Sequence, residues 1–172
     1  MVTIMIPQIR FSDRPLIELT EEGNNHAATR FTWNIFILAG LSTDESTYFA
    51  GYDKSKVSPF ATPDNIVFDL ADNAWVATDG VASAIKLNDG LFAIPVVSSE
   101  RGHVQQFFSS VAGSEACGPE FTPDNRTLFL AIQHPGEGST FEKPISTWPD
   151  RQGLPRPSVI TIQAFNNRHI GQ

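Results

Sequence analysis

The stretch ACGPEFTPDNRTLF at Ala116–Phe129 is followed, after two more residues, by IQHPGE at Ile132–Glu137. Its Pro-Asp-Asn lies between two apolar runs, a pattern that is typical of the turn of a β-hairpin. Because a hairpin returns on itself, the residues that flank it lie at the same edge of a sheet. We therefore expect Glu120, His134 and Glu137 to share one edge, which would carry two carboxylates and an imidazole.

The remainder of the chain continues this pattern of short apolar runs separated by turn residues. It contains 12 Pro, 12 Gly and 13 Phe, and no segment of a dozen residues has a convincing helical period. The sequence thus predicts an all-β protein with short antiparallel strands. Strands are predicted at 32–39, 47–52, 66–69, 74–78, 90–96, 104–108, 120–122, 127–133 and 158–162, with a single helical turn at 53–56.

Two Asp-Asn turns, at 72–73 and 124–125, lie 52 positions apart and begin similar strands. A repeat of about 50 residues with four strands per unit is typical of propeller blades. At that length the chain holds three to four blades, whereas propellers close with about four to eight. We predict a single β-propeller-like region over 1–172, a partial propeller of about three blades. Remaining propeller blades or self-association would have to close its sheet.

Charge and motifs exclude several classes of function. The net charge of -7 argues against nucleic-acid binding, which requires a basic face. An acidic chain can still bind a phosphate ester if metal ions supply positive charge. No apolar run reaches the roughly 18 residues of a membrane span, and common nucleotide-binding and hydrolase motifs are absent.

Cys117 is the one cysteine, so no internal disulfide is possible, and we expect a small, buried, apolar residue there.

Several polar residues are candidates for chemistry. Glu120 enters an apolar strand, where a carboxylate is unusual without a partner, and calcium prefers carboxylate oxygen. Asp64, followed by Asn65, opens a strand and is either a metal ligand at the mouth of a channel or part of an Asx turn. His134 and Glu137 flank a rigid Pro-Gly loop. They either contact the substrate and support a metal ligand, or form a hydrogen-bonded pair that stabilises the loop.

The chain also resembles the C-terminal part of PhoX-type alkaline phosphatases, and the resemblance covers most of its length. The matching runs occur in the same order as in that family. They are HAATRFTWNIF at 26–36, PDN at 63–65, WVATDG at 75–80, GPEFTPD at 118–124, QHPGE at 133–137, STWPD at 146–150 and PRPSV at 155–159.

This resemblance implies a β-propeller whose channel holds calcium and iron ions, which bind a phosphate monoester for hydrolysis. Glu120 and Asp64 would be calcium or iron ligands, with Asn65, His134 and Glu137 beside them. The cysteine that binds iron in the family lies upstream of the resembling region, so its role is not transferred to Cys117.

The resemblance further implies that the chain is the C-terminal fragment of a larger phosphatase and is inactive alone. The full-length family is exported to the periplasm or secreted. Neither nucleic acid nor a membrane is expected as a partner. Two alternatives stay open: a non-catalytic, calcium-binding propeller-like module, and a lactonase-like propeller hydrolase.

Overall fold

Three antiparallel sheets follow one another along the chain in a computed structural model. The structure describes residues 2–5 as backbone and residues 15–171 in full. In each sheet, consecutive strands are hydrogen-bonded neighbours. The first contains β1 (Val2–Met5), β2 (Pro15–Glu21), β3 (Phe31–Leu38) and β4 (Tyr48–Phe49); the second contains β5 (Pro63–Phe68), β6 (Asn73–Thr78), β7 (Gly90–Pro95) and β8 (Gln105–Ser109); the third contains β9 (Glu115–Phe121), β10 (Thr127–Gln133) and β11 (Ser158–Gln163).

Helical structure among the described residues is limited to short segments. One α-helix, α1 (Val81–Ile85), lies between β6 and β7, and 3₁₀ turns occur at Glu22–Asn24, Lys54–Lys56 and Phe165–Asn167. None of these described helices is long and apolar enough to cross a membrane. The prediction of an all-β chain made of about three antiparallel units is therefore confirmed.

The middle sheet is buried on both faces because its strands alternate between two cores. In β6, Ala74 and Val76 belong to the core shared with the first sheet, whereas Trp75 and Ala77 belong to the core shared with the third sheet. All four side chains are at most 1% exposed. Face-to-face stacking of three twisted sheets follows from this period of two, since successive side chains of a strand point to opposite faces.

The sequence predicted neither β1 and β2 nor α1, and among the strands that it did predict, the boundaries differ mainly in β9. It begins at Glu115 rather than at residue 120, although Gly118 and Pro119 interrupt the apolar pattern. The chain absorbs this interruption with a β-bulge opposite Phe129–Ala131, where Gly118 adopts a φ of 55°. A bulge of this kind permits a strand to continue past residues that local sequence rules treat as breakers.

A buried carboxylate holds the turn of the β5–β6 hairpin. Asp69 is 8% exposed, and it accepts hydrogen bonds from the backbone nitrogens of Ala71 and Asn73 at 2.8 and 2.9 Å. It also accepts one from the Trp75 indole nitrogen at 2.9 Å. The predicted turn is present, but it spans residues 69–72, and Asn73 is already the first residue of β6. Asp69 ties this turn to the largest side chain of the core.

One arginine links the first and second sheets. Arg101, in the loop between β7 and β8, donates a hydrogen bond from Nη2 to Glu18 Oε2 at 2.9 Å and from Nη1 to the Val96 carbonyl at 2.7 Å. Its guanidinium carbon lies 4.6 Å from the centroid of the Phe36 ring. A loop of the second sheet is thereby fixed to β2 and β3 of the first.

The segment after β11 folds back between the second and third sheets. Ile170 is 3% exposed, belongs to the core around Trp75, and its backbone nitrogen donates to the Asn125 carbonyl at 2.8 Å. Gly171 follows with a φ of 84°, and a Cβ at this position would lie 2.9 Å from Trp75. Both residues therefore close the interface between these two sheets.

Candidate functional site

Acidic side chains from the second and third sheets meet at one end of the molecule. Pro63 pairs with Thr78, so Asp64 and Asp79 lie at the same end of the β5–β6 hairpin. The Asp79 backbone nitrogen donates to the Thr62 carbonyl at 3.1 Å, which closes this end.

Asn65 joins this end of β5 to the third sheet. Its side-chain oxygen accepts a hydrogen bond from the backbone nitrogen of Gly118 in β9 at 2.8 Å. The predicted site residue Asn65 thus holds two strands in position, and its side-chain oxygen is already engaged.

Glu115, the first residue of β9, is the buried carboxylate at the centre of this end. It is 6% exposed. Its Oε2 accepts a hydrogen bond from Gln133 Nε2 at 2.9 Å and lies 3.3 Å from His134 Nε2. His134 also lies near Glu137, with 3.6 Å between its Nδ1 and Glu137 Oε2. The predicted pair His134 and Glu137 is therefore brought together, with Glu115 as an additional partner.

Electrostatics show that the acidic groups share one environment. Burial raises the pKa of Glu115, and the negative charges of Asp79 and Asp64 raise it further, against the opposing effect of the His134 contact. Burial also raises the pKa of the Cys117 thiol, as do the charge and hydrogen bond of Glu115. The negative charges of Asp64 and Asp79 thus disfavour ionisation of both the Glu115 carboxyl and the half-buried Cys117 thiol.

A polar cleft of about 90 Å³ opens beside this group. Residues of α1 form part of its wall. Asp89 fixes the start of this helix, since it accepts hydrogen bonds from the Gly80 and Val81 backbone nitrogens at 3.2 and 3.1 Å. Burial raises the pKa of Asp89, and these two hydrogen bonds oppose that shift. The cleft is lined by Asp79, Gly80, Ala82, Ser83, Asn88, Asp89, Gly113, Ser114, His134 and Glu137.

Glu120, the other predicted ligand, lies apart from this group. It is exposed and its backbone pairs with Phe129 across the strands, but its carboxylate forms neither a hydrogen bond nor an ion pair with any residue that the structure describes. A role for Glu120 in metal binding stays a prediction.

The donor chemistry suits a hard cation, but the donors form only part of a site. A divalent ion stabilises the ionised form of a carboxylate such as Glu115, whose pKa is raised by burial and by neighbouring negative charge, and calcium takes six to eight oxygen ligands. Within residues 2–5 and 15–171, however, no group of three or more His, Cys, Asp or Glu side chains is arranged to hold a metal ion.

The signal for Glu115 is present in the sequence but weak. Glu115 pairs with Gln133 in the β9–β10 register, two residues before Cys117 pairs with Ala131. Extending the hairpin backwards through Gly118 and Pro119 would have placed Glu115 beside Gln133 and His134. Gly118 and Pro119 made such an extension look unfavourable, and for that reason Glu115 was not predicted as a site residue.

Comparison with known proteins identifies a family and a solved structure of similar fold. A family model described as alkaline phosphatase PhoX matches residues 15–136. A solved structure of Pseudomonas fluorescens PhoX in complex with vanadate, a transition state analogue, matches with a TM-score of 0.75 and 29% identity. The match covers 93% of this chain and 28% of that chain. Among curated protein sequences, no match is found.

The three consecutive antiparallel sheets, with acidic groups at one end, define a partial β-propeller-type protein. The chain belongs to the PhoX alkaline phosphatase family, since the family model covers more than half of it. That family is a family of metalloenzymes. The chain spans 28% of the length of the solved relative.

Proposed function

We propose that this chain contributes part of a metal-dependent site that hydrolyses phosphate monoesters. The observation that carries the proposal is the convergence of Asp64, Asp79 and Glu115 beside His134, at one end of the second and third sheets. Membership of the PhoX family supplies the reaction class. The vanadate complex of the Pseudomonas fluorescens relative supports it, because vanadate imitates a phosphoryl group during transfer.

Asp64 and Glu115 would hold the metal, and calcium suits their hard carboxylate oxygens better than a softer ion does. Iron is proposed on the family resemblance alone. When bound, the metals would polarise the phosphoryl oxygens and neutralise the charge that develops on them. Asn65 would keep β5 and β9 in register, while His134 and Glu137 would border the cleft that receives the ester.

Asp64 and Glu115 together offer at most four carboxylate oxygens, which are fewer than the six to eight ligands that calcium takes. We therefore propose that the remaining ligands come from other parts of a PhoX-type chain, and that the isolated chain is a fragment with little or no phosphatase activity. An aryl phosphate assay with added calcium and iron tests this. Strong hydrolysis that is lost on Glu115→Gln or Glu120→Gln would contradict the prediction of inactivity.

Calcium titration by calorimetry tests the ligand assignment without requiring activity. We expect Asp64→Asn and Glu115→Gln each to weaken calcium binding by about tenfold, which corresponds to roughly 1.4 kcal/mol. Glu142→Gln, an exposed acidic residue in the loop between β10 and β11, is the matched control. Unchanged binding in both variants would exclude these ligands, and Glu120→Gln decides separately whether Glu120 takes part.

A non-catalytic, calcium-binding module remains the second candidate, because an incomplete donor set fits binding as well as catalysis. The two differ once the whole propeller is present: a phosphatase hydrolyses the ester, whereas a module binds calcium only. No observation favours the lactonase-like alternative.

A further inference from the structure

A cavity of about 550 Å³ lies between the second and third sheets, apart from the candidate functional site. Its walls come from β8, from the end of β11 and from the segment that follows β11. In their sheets, β8 and β11 are the edge strands opposite to β5 and β9, which carry Asp64 and Glu115. This cavity is called the edge pocket, and the lining side chains that matter here are Phe107, Ile162, Ala164, Phe165, Arg168 and Ile170.

Most of the apolar wall of the edge pocket is fixed by the protein core. Ile170 is buried and belongs to the core around Trp75. Ile162 and Ala164 pack against the same core. The Phe107 ring lies 4.9 Å from the Trp75 ring in an edge-to-face contact. These walls are therefore in place before a ligand enters, which lowers the entropic cost of binding.

Arg168 is the charged residue of the edge pocket. It is exposed, and its guanidinium forms neither a hydrogen bond nor an ion pair with any residue that the structure describes. Among the described residues that line the pocket, none is acidic, although the chain contains 19 Asp and Glu and has a net charge of -7. The other polar side chains there are the amides of Gln163 and Asn166. A guanidinium without a counter-charge beside an apolar cavity is complementary to an anionic group.

We propose that the edge pocket binds an amphipathic organic anion, in which an apolar chain or ring carries a terminal carboxylate or a similar group. Ligand pockets have volumes of about 300–1,000 Å³, with apolar linings and a few polar groups that fix the orientation. The apolar body would lie against Phe107, Ile162 and Phe165, and the anionic group would meet Arg168. The edge pocket shares no residue with the candidate functional site, so the proposal holds whether or not the chain takes part in phosphate ester hydrolysis.

Calorimetric titration of the isolated chain with decanoate tests the proposal, and decanol serves as a neutral probe with the same number of carbons. We expect Arg168→Gln to weaken decanoate binding about tenfold and to leave decanol binding within about twofold, because only the carboxylate loses its partner. Arg168→Lys keeps the charge and should retain most of the affinity. Arg151→Gln, which changes an exposed arginine in the loop between β10 and β11, is the matched control and should alter neither titration.

A second variant tests the apolar wall. Phe165 is 93% exposed, so Phe165→Ser should leave the fold intact, which urea unfolding verifies. It should weaken the binding of both probes by about threefold or more, because each loses apolar contact. Phe141→Ser is the control, since Phe141 is 81% exposed in the loop between β10 and β11.

Three results would overturn the proposal. The first is that decanoate does not bind to the unaltered chain at concentrations below those at which it forms micelles. The second is that Arg168→Gln weakens decanoate and decanol equally, which would mean that the guanidinium does not recognise the anion. The third is that Arg151→Gln or Phe141→Ser has the same effect as its edge-pocket counterpart, which would place the binding elsewhere on the surface.

Discussion

At the scale of single residues, Glu115 is the group whose environment departs most from that of an exposed side chain. It is buried, accepts a hydrogen bond from Gln133 and is near the charges of Asp79 and Asp64. Its carboxylate is therefore held in place while its ionised form is disfavoured. A cation would relieve that penalty, which connects the stability of the protein to metal binding.

We predict a pH dependence from this shift. Because the pKa of Glu115 is raised above its ordinary value of 4.5, the folded state resists its ionisation. The penalty is absent below the ordinary value, grows as pH rises through the raised pKa, and is complete above it. In metal-free buffer, Glu115→Gln should therefore gain stability relative to the unaltered protein between about pH 4 and pH 7. Urea unfolding at several pH values measures this.

Glu142→Gln provides the control for removing a negative charge at an exposed position. A Glu115→Gln variant whose relative stability falls with rising pH would show that the carboxylate is stabilised in its ionised form. Addition of calcium to the unaltered protein should reverse the penalty, whereas the variant should respond less.

Residue patterns predicted some members of the candidate site, and they did not predict Glu115 at its centre. His134 and Glu137 were predicted from a rigid loop and lie together, with Asp64 at the same end of the molecule. Glu115 was missed because a bulge at Gly118, with its positive φ, is a three-dimensional solution that period-two patterns do not contain. For the same reason, Glu120 was predicted at the start of a strand that in fact begins earlier.

At the scale of elements, the loops decide how the sheets are joined. Most predicted strands are present, since alternation and turn residues are local properties. The contact of Arg101 with Glu18 links residues 83 positions apart, and nothing in the local sequence predicts it. Inter-sheet contacts of this kind depend on packing, which explains why the stacking order required the structure.

We predict that Arg101→Met loosens the junction between the first and second sheets. The change removes the ion pair with Glu18 and the hydrogen bond to the Val96 carbonyl, and it leaves a carboxylate that is only 13% exposed without its partner. A loss of about 1–2 kcal/mol in the free energy of unfolding is expected, because the pair is partly shielded from water. Urea unfolding measures the change.

A double-mutant cycle with Glu18→Gln separates the ion pair from the other contacts of Arg101. We expect the double variant to be less destabilised than the sum of the two single changes. Strict additivity would mean that the 2.9 Å contact contributes no coupling energy, and that packing on Phe36 and the hydrogen bond to the Val96 carbonyl explain the effect.

At the scale of the whole molecule, the interface between the second and third sheets depends on a segment outside both. Ile170 belongs to the core around Trp75, and its backbone is bonded to Asn125. We predict that Ile170→Ala lowers the free energy of unfolding by about 2–4 kcal/mol, because it leaves a cavity in a packed core. Chemical denaturation tests this, with the exposed Val159→Ala as the control. A loss below about 0.5 kcal/mol would show that the segment is not needed for the core.

The position of Ile170 also has a consequence for biosynthesis. Trp75 leaves the ribosome roughly 95 residues before the isoleucine that covers it. At a synthesis rate of about 5–20 residues per second, Ile170 is added roughly 5–20 s after Trp75, and until then the core around Trp75 is incomplete. During that interval the nascent chain exposes apolar surface of the kind that holdase chaperones bind. The first two sheets must therefore remain folded without the packing that Ile170 later provides.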